Sequence, residues 1–223
     1  MQHQQHLEAR VAALEAHLSQ TGRAKPFLVA YLSLWSGPLA PVSAWLEASA
    51  AQFKAKDAAA ALLLRVEAQI EARYQRLLAA DLGKLATNPA AARLLDSWTP
   101  NAAVQEHMNV RTTLPSSDPM IIVVLDRAHA RLDRSLSAAL LRALEGQLPA
   151  DACGYIRARA ANAAKRERHI SKLLDSVRAR PGGEQRIQRG ELYSEAVLDT
   201  YLGALESFTA PTHTTGSHLR VVN

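Results

Sequence analysis

The sequence is poor in the residues that build disulfides, β-sheets and membrane spans. Its only cysteine, Cys153, excludes an intramolecular disulfide and any CxxC metal or redox motif. The chain has 10 glycines and 10 prolines among 223 residues, and few β-branched residues. This composition disfavours β-sheets, which need turn residues and residues of high β-propensity. No apolar run approaches the ~20 residues that cross a bilayer, and the first residues lack the basic and apolar segments of a secretory signal. We therefore expect a soluble, cytoplasmic protein with no membrane partner.

The motifs of two large enzyme classes are also missing. The chain has no G-x-S-x-G nucleophile elbow, and it has neither a G-x-x-x-x-G-K nor a G-x-G-x-x-G phosphate loop. Cys153 lies at the start of a predicted helix, where a small buried residue is a simpler interpretation than an activated nucleophile. The sequence thus gives no support to a nucleophilic triad or to a nucleotide-binding loop.

Helical periodicity fills most of the chain. Apolar residues make up 48% of it, and Leu7, Val11, Leu14 and Leu18 recur at the intervals of an amphipathic helix. Helices are predicted over 4–19, 26–54 with a break at SGPLAP, 57–86, two short segments from Asn88 and Thr99, 120–148, 150–180 and 184–208. The links are short, so the pattern predicts an all-α protein: one helical bundle of about seven to eight helices over 1–208. A loop is predicted at 113–119 and a flexible C-terminal tail at 209–223.

The net charge of +5 is concentrated in one segment. Residues 157–189 contain ten Lys/Arg and three Asp/Glu, a net charge of +7. Such a segment can attract a phosphate, a nucleic acid or an acidic protein, or it can be a solvated helix face. No recognised nucleic-acid motif and no interleaved aromatic residues accompany it, so a nucleic-acid partner is not favoured.

Two predicted helices carry polar side chains on a face that is otherwise apolar. In the segment 57–86, Glu67, Glu71 and Tyr74 share a face with leucine and isoleucine. In the segment 120–148, Asp126 follows an apolar run and His129 lies one turn later. A carboxylate on an inward stripe is costly unless a cation or a hydrogen-bond donor meets it. The alternative for each set is a partly exposed helix flank.

A third predicted helix, 150–180, repeats the feature. Asn162, Arg166 and His169 follow one another at spacings of four and three and form one polar row. Because three helices share the feature, we expect a shared polar centre in which Asn162, Arg166 and His169 point inward.

These residues resemble the heme-oxygenase-like helical superfamily, which includes heme oxygenases, TenA-type and PqqC-type enzymes, and diiron oxidases and oxygenases. Diiron members carry E-x-x-H followed by a DL-x-x-L stretch, which here reads Glu71-Ala-Arg-Tyr74 followed by LLAADLGKL. Their acidic residue on a middle helix matches Asp126. Their later H-x-x-x-D-x-x-H motif reads Asn162, Arg166 and His169 here.

The sequence departs from the diiron pattern at three positions. Tyr74, Asn162 and Arg166 stand where that pattern has His, His and Asp. A guanidinium among the ligands opposes metal binding, and we expect Arg166 to neutralise Glu71, or next Asp126, as a metal would. Arg168, by contrast, is expected to face water.

The resemblance implies a small-molecule enzyme that acts in a bundle cavity without a cofactor, as PqqC-type enzymes act without metal. Cyclisation, isomerisation or cofactor-free oxidation in specialised metabolism are the reactions considered. His169 would be the general acid or base and Arg166 would hold an anionic group, while Tyr74 and Glu71 would donate and orient. Asn162, Asp126, His129 and Glu67 would contact the substrate.

Three alternatives remain open, and so do the partners. One iron could bind through Glu71, Asp126 and His169 in a non-heme oxidase. The fold could instead serve a non-catalytic binding or scaffold protein whose core is filled by ion pairs, or the basic segment could serve nucleic-acid binding. Besides the small-molecule substrate, an acidic carrier protein and a homodimer are the partners considered.

Overall fold

Nine α-helices account for nearly all of the residues that the structure, a computed structural model, describes. The described residues are 2–20, 23–39, 41–55, 58–112, 120–144, 147 and 150–209, and none of them is in a β-strand. The helices are α1 Gln2–Leu18, α2 Ala24–Ser36, α3 Val42–Phe53, α4 Ala58–Ala86, α5 Pro89–Ser97, α6 Ala102–Thr112, α7 Met120–Leu144, α8 Gly154–Arg178 and α9 Gly183–Ser207. The predicted all-α bundle is confirmed.

The described part of the chain contains more helices than the seven to eight that we predicted. Segment 26–54 forms two of them, because Gly37, Pro38 and Pro41 end α2 and separate it from α3. The short segments that follow α4 are also separate helices. A 3-10 helix, Ala150–Cys153, leads directly into α8.

Local sequence signals explain where several helices start. The side chain of Asn88 accepts hydrogen bonds from the backbone N–H groups of two residues in the first turn of α5, with proline in its first position. Asn101 caps α6 in the same way, since its Oδ1 accepts a hydrogen bond from the backbone N–H of Val104 at 3.0 Å. Gly182, with a φ of 71°, makes the left-handed turn between α8 and α9.

The helices α4 and α8 pack as an antiparallel pair. Asp81, near the end of α4, accepts a hydrogen bond from the backbone N–H of Tyr155 at the start of α8. Glu67, near the start of α4, pairs with Arg166 further along α8. α7 packs against α8 and α9, α1 packs against α7 and α9, and α3 packs against α4. Buried apolar side chains from all nine helices form one core cluster.

Two predicted segments lie outside the described residues, namely the loop at 113–119 and residues 210–223 of the tail. The predicted end of the helix 120–148 falls there too. The helix α7 is described as far as Leu144, and residues 145, 146, 148 and 149 lie outside the described part of the chain. Among the described helices, none combines the length and the apolar character that a membrane span requires.

Candidate functional site

A cluster of buried charged side chains lies where α4, α7 and α8 meet. We call it the charged core; its members are Glu67 and Glu71 of α4, Asp126 and Asp133 of α7, and Arg159 and Arg166 of α8. Each helix contributes two members at a spacing of four or seven residues, so both members face the same side of their helix. The polar centre shared by three helices is therefore present.

Arg166 connects three of the carboxylates. Its Nε atom lies 2.9 Å from Glu67 Oε2, and its Nη2 atom lies 2.8 Å from Glu71 Oε1 and 2.7 Å from Asp126 Oδ1. Only 3% of the Arg166 side chain is exposed. The prediction that Arg166 lies inside the bundle and pairs with Glu71 and Asp126 is confirmed, and Arg168 is exposed as expected.

Arg159 forms the second half of the charged core. Its Nη2 atom lies 2.8 Å from Asp133 Oδ2, and its Nη1 donates a hydrogen bond to the Tyr155 hydroxyl at 2.9 Å. Glu71 Oε2 lies 3.5 Å from Nη1, so Glu71 contacts both arginines. The guanidinium carbon stands 4.2 Å from the centre of the Trp35 ring, a cation–π contact that shields it from water.

Sequence reasoning missed Arg159 and Asp133. A signal was available in the seven-residue spacing, since Asp133 is two turns after Asp126 and Arg159 is two turns before Arg166. A residue seven positions away lies on nearly the same side of an α-helix. An inward Asp126 and an inward Arg166 therefore imply inward partners at these two positions.

The charged core has more carboxylates than cations. Guanidinium groups keep their proton, so four ionised carboxylates would leave a net negative charge in a buried site. Burial raises the pKa of Asp126 to about 7, although Arg166 acts in the opposite direction. Burial also raises the pKa of Glu67. Protons are consequently held in the charged core at a pH where an exposed carboxylate has lost them.

Asp126 is the member with unused hydrogen-bonding capacity. Its Oδ1 atom accepts a hydrogen bond from Arg166. Its Oδ2 atom is buried and has no hydrogen-bond partner among the residues that the structure describes. A buried acceptor without a partner is costly, and protonation or a bound molecule would relieve that cost.

A small cleft reaches the charged core between α3 and α7. Its lining residues are Trp35 of α2, Val42, Trp45 and Leu46 of α3, Glu71 of α4, Ile122, Leu125, Asp126 and His129 of α7, and Arg159 of α8. The cavity measures about 30 Å³, which holds one or two water molecules. Its walls are mainly apolar and aromatic, and its polar groups are those of the charged core together with His129.

His129 stands beside Asp126 in the wall of this cleft, three residues further along α7. Its ring is buried between two aromatic rings, with centroids 6.4 Å from Trp35 and 5.5 Å from Tyr201. The Tyr201 hydroxyl accepts a hydrogen bond from the Trp35 indole N–H at 3.0 Å. These contacts fix the ring of Trp35, which forms the cleft wall opposite α7.

Two of the predicted site residues point elsewhere. Asn162 and His169 are exposed, and the Asn162 side chain donates a hydrogen bond to the carbonyl of Ala158 in its own helix. The expectation that they face inward with Arg166 is wrong. The buried stripe of α8 runs through Arg159, Ala163 and Arg166. At about 100° per residue, Asn162 and His169 fall on the flank of that stripe.

The assigned roles change accordingly. His169 is exposed and does not line the cleft, so it is not placed to be the acid or base there, and the three-residue iron site of Glu71, Asp126 and His169 is not assembled. In the part of the chain that the structure describes, no group of three or more His, Cys, Asp or Glu side chains is arranged to hold a metal ion.

Tyr74 is buried next to the charged core but does not line the cleft. Its hydroxyl donates to the Ala158 carbonyl at 3.4 Å, and its ring lies 5.5 Å and 5.6 Å from the guanidinium carbons of Arg159 and Arg166. Tyr74 thus covers the two arginines and shields their ion pairs from water.

Comparison of the chain with family models, with curated proteins and with solved structures gives no match.

Proposed function

We propose that this chain is an enzyme that moves a proton on a small molecule bound in the cleft between α3 and α7, with Asp126 as the acid–base group and without a metal ion. The observation that carries the proposal is the state of Asp126. One of its carboxyl oxygens is held by Arg166, the other has no partner among the described residues, and the side chain lines a cleft with aromatic walls. A carboxyl group whose pKa burial raises to about 7 can donate and accept a proton near neutral pH.

The other members of the charged core support this role. Arg166 orients Asp126 and stabilises its ionised form after a proton leaves. Arg159 lies in the wall of the cleft and supplies positive potential where negative charge develops on a substrate. His129, one turn from Asp126, is a second group in the cleft that can carry a proton. Glu71 contacts both arginines and fixes their relative position.

Electrostatics supports chemistry without a metal. Arg166 lies within 2.9 Å of oxygens from Glu67, Glu71 and Asp126, which is where carboxylates would converge on an ion. A second cation at this place would be repelled by a guanidinium that cannot lose its proton. Of cyclisation, isomerisation and cofactor-free oxidation, the first two can proceed by proton transfer alone.

The shape of the cleft limits the substrate. Binding sites for small molecules measure about 300–1,000 Å³, whereas this cleft has about 30 Å³. Trp45 and Ile122 are half-buried lining residues, and a substrate larger than one or two water molecules has to displace side chains of this lining. The substrate is accordingly a small, flat, largely apolar molecule with one polar group that reaches Asp126.

The resemblance to the heme-oxygenase-like superfamily belongs to this proposal. Its support is that Glu71, Asp126 and Arg166, three of the positions that carry the resemblance, meet in the core. Asn162 and His169, two further positions, do not join them. A cytoplasmic location fits a site of this kind and is proposed with it.

The small volume of the cleft also favours a second candidate, a binding or scaffold protein in which the charged core only holds three helices together. The two candidates differ in one property. An enzyme loses proton-transfer activity when Asp126 is replaced, whereas a scaffold has no such activity to lose.

The three tryptophans of the chain provide a direct test, because Trp35 and Trp45 line the cleft and Trp98 does not. Cyclopentanone, cyclohexanone and acetophenone are titrated into ¹⁵N-labelled protein while the indole signals are followed by NMR. We expect shifts at Trp35 and Trp45 and none at Trp98.

Exchange of the ketone α-hydrogens with D₂O then measures proton transfer. We expect faster exchange with the wild type than with Asp126→Asn, and wild-type rates with Asp96→Asn, which changes an exposed aspartate on α5. Equal exchange rates for the wild type and Asp126→Asn would contradict the proposed enzyme and favour the binding or scaffold protein.

A further inference from the structure

The outer surface of the neighbouring helices α4 and α8 is basic. We call it the basic face; it comprises Arg65, Arg73 and Arg76 of α4 and Arg157, Lys165, Arg168 and Lys172 of α8, all of them exposed. The two rows of cations lie on packed neighbouring helices. The row on α8 runs over sixteen residues, from Arg157 to Lys172, which corresponds to a rise of about 22 Å.

The basic face is rich in cations because the acidic residues of α4 are buried inside the bundle. The acidic residues of α4 are Glu67, Glu71 and Asp81, and all three are buried. The outer face of α4 is thereby left with cations alone. On α8, Glu167 is held by Arg131 and Arg134 of α7, so it does not offset the cations of its own helix.

The cations of the basic face lack the carboxylate partners that several other arginines have. Elsewhere Arg10, Arg142 and Arg178 each pair with a glutamate. Within the described part of the chain, none of the seven cations of the basic face forms an ion pair. Several of them are three or four residues apart on one helix, a spacing at which like charges are destabilising.

Two exposed apolar side chains lie among these cations. Leu62 is 63% exposed and Val66 is 42% exposed, one turn apart on α4. Since Glu67 pairs with Arg166 in the antiparallel helices, Leu62 lies at about the level of Lys172. The surface therefore offers two adjacent apolar side chains among the cations of α4, at the level of a cation of α8.

We propose that the basic face binds an acidic amphipathic helix of another protein. Carboxylates of such a helix would pair with the cations of α4 and α8, and its apolar stripe would cover Leu62 and Val66. The described residues of the basic face include no exposed aromatic side chain, so the stacking that single-stranded nucleic acids use is not provided. Phosphates would also leave the two aliphatic side chains uncovered.

The probe is a 22-residue peptide with leucine at every third or fourth position and glutamate at most others. A scrambled peptide of the same composition, a 20-base-pair DNA duplex, and phosphatidylcholine vesicles with 30% phosphatidylserine are its competitors. Fluorescence anisotropy gives the affinity of each at 50 and 200 mM NaCl. We expect the striped peptide to bind at least tenfold more tightly than the scrambled peptide, and more weakly at the higher salt concentration.

Matched charge reversals locate the surface. Arg73→Glu, Lys165→Glu and Lys172→Glu together should weaken binding of the striped peptide at least tenfold. Lys54→Glu, Arg93→Glu and Arg189→Glu make the same change in net charge at exposed positions outside the basic face, and should leave the affinity within twofold. Leu62→Gln should weaken the striped peptide and spare the scrambled one.

Three results would overturn the inference. Equal losses in both triple variants would show a net-charge effect without a defined surface. Tighter binding of the duplex would show a nucleic-acid surface, and tighter binding of the vesicles would show a membrane surface. The basic face is separate from the cleft, so none of these results bears on proton transfer by Asp126.

Discussion

Asp126 and Arg166 are joined by one hydrogen bond of 2.7 Å, which uses a single oxygen of the carboxyl group. The second oxygen is buried without a partner among the described residues. The carboxyl is thus oriented by a cation that also serves Glu67 and Glu71, while half of its bonding capacity stays unused. The second oxygen of Asp126 can therefore take a proton or contact a bound molecule while the first keeps the ion pair with Arg166.

Stability should depend on pH through Asp126. Burial raises the pKa of Asp126 to about 7 in the folded chain, against about 3.9 in an unfolded one. Between these values the unfolded chain has lost a proton that the folded chain keeps. The contribution of Asp126 to the free energy of unfolding is therefore greatest below pH 4 and falls by up to about 1.4 kcal/mol per pH unit until pH 7.

Urea unfolding of the wild type and of Asp126→Asn between pH 4 and pH 8 measures this contribution as a difference. The free energy of unfolding of the wild type minus that of Asp126→Asn should fall as the pH rises and should level off above pH 7. Asp96→Asn, at an exposed position, should follow the wild type at every pH. Parallel curves for the wild type and Asp126→Asn would contradict the raised pKa.

Removing Arg166 should be far more damaging than removing Arg168. Arg166→Ala leaves Glu67, Glu71 and Asp126 without their shared cation, and loss of one partner from a buried ion pair costs about 3–5 kcal/mol. Arg168→Ala, on the exposed side of the same helix, should change the free energy of unfolding by less than about 0.5 kcal/mol. Chemical denaturation measures both variants. Small and equal decreases in their free energies of unfolding would contradict a stabilising role of the charged core.

The pair of Asp133 and Arg159 should show energetic coupling. The contacting atoms lie 2.8 Å apart and both side chains are buried. A double-mutant cycle with Asp133→Asn and Arg159→Met should give a coupling energy of about 0.5–3 kcal/mol. A cycle with Glu15→Gln and Arg142→Met, an exposed pair with a contact of 2.6 Å, should give less than about 1 kcal/mol. Similar coupling in both cycles would mean that burial does not strengthen the inner pair.

Two glycines in helices should respond in opposite ways to alanine. A Cβ at Gly190 would lie 2.8 Å from Val124 Cβ, whereas a Cβ at Gly83 meets no atom within 4 Å. Gly190→Ala should destabilise the protein by about 1–3 kcal/mol, and Gly83→Ala should stabilise it by about 0.5–1 kcal/mol. Thermal unfolding checks both, and adding Val124→Ala should recover part of the loss at Gly190. An unchanged or raised stability of Gly190→Ala would disprove the close packing of α7 on α9.

Most of the fold was predictable because local signals mark the helices. The stripe of Leu7, Val11 and Leu14 defines α1, and the Asn88-Pro89 pair starts α5 with a cap and a preset backbone. The division of 26–54 was visible in its glycine and prolines. Signals of this kind act within one or two turns, so the sequence alone is enough to read them.

The charged core was predictable only in part, because partner helices decide which face of α8 is buried. Arg166 lies on the boundary between two possible stripes, one with Asn162 and His169 and one with Arg159. α4 and α7 supply carboxylates to the second stripe, and that choice is not encoded in the spacing within α8. Grouping the polar residues of α8 into one row favoured the stripe with Asn162 and His169. The seven-residue spacing that Asp126 and Asp133 share with Arg159 and Arg166 would have favoured the stripe with Arg159.

The most direct test of the account is the titration of Asp126 itself, followed through its carboxyl carbon by NMR in ¹³C-labelled protein from pH 3 to pH 9, with assignment from the Asp126→Asn variant. We expect a midpoint near pH 7 for this carbon, well above the ordinary aspartate value of about 3.9. A midpoint for Asp126 below about pH 5 would place it in the normal range of aspartates and would contradict its role as the acid–base group.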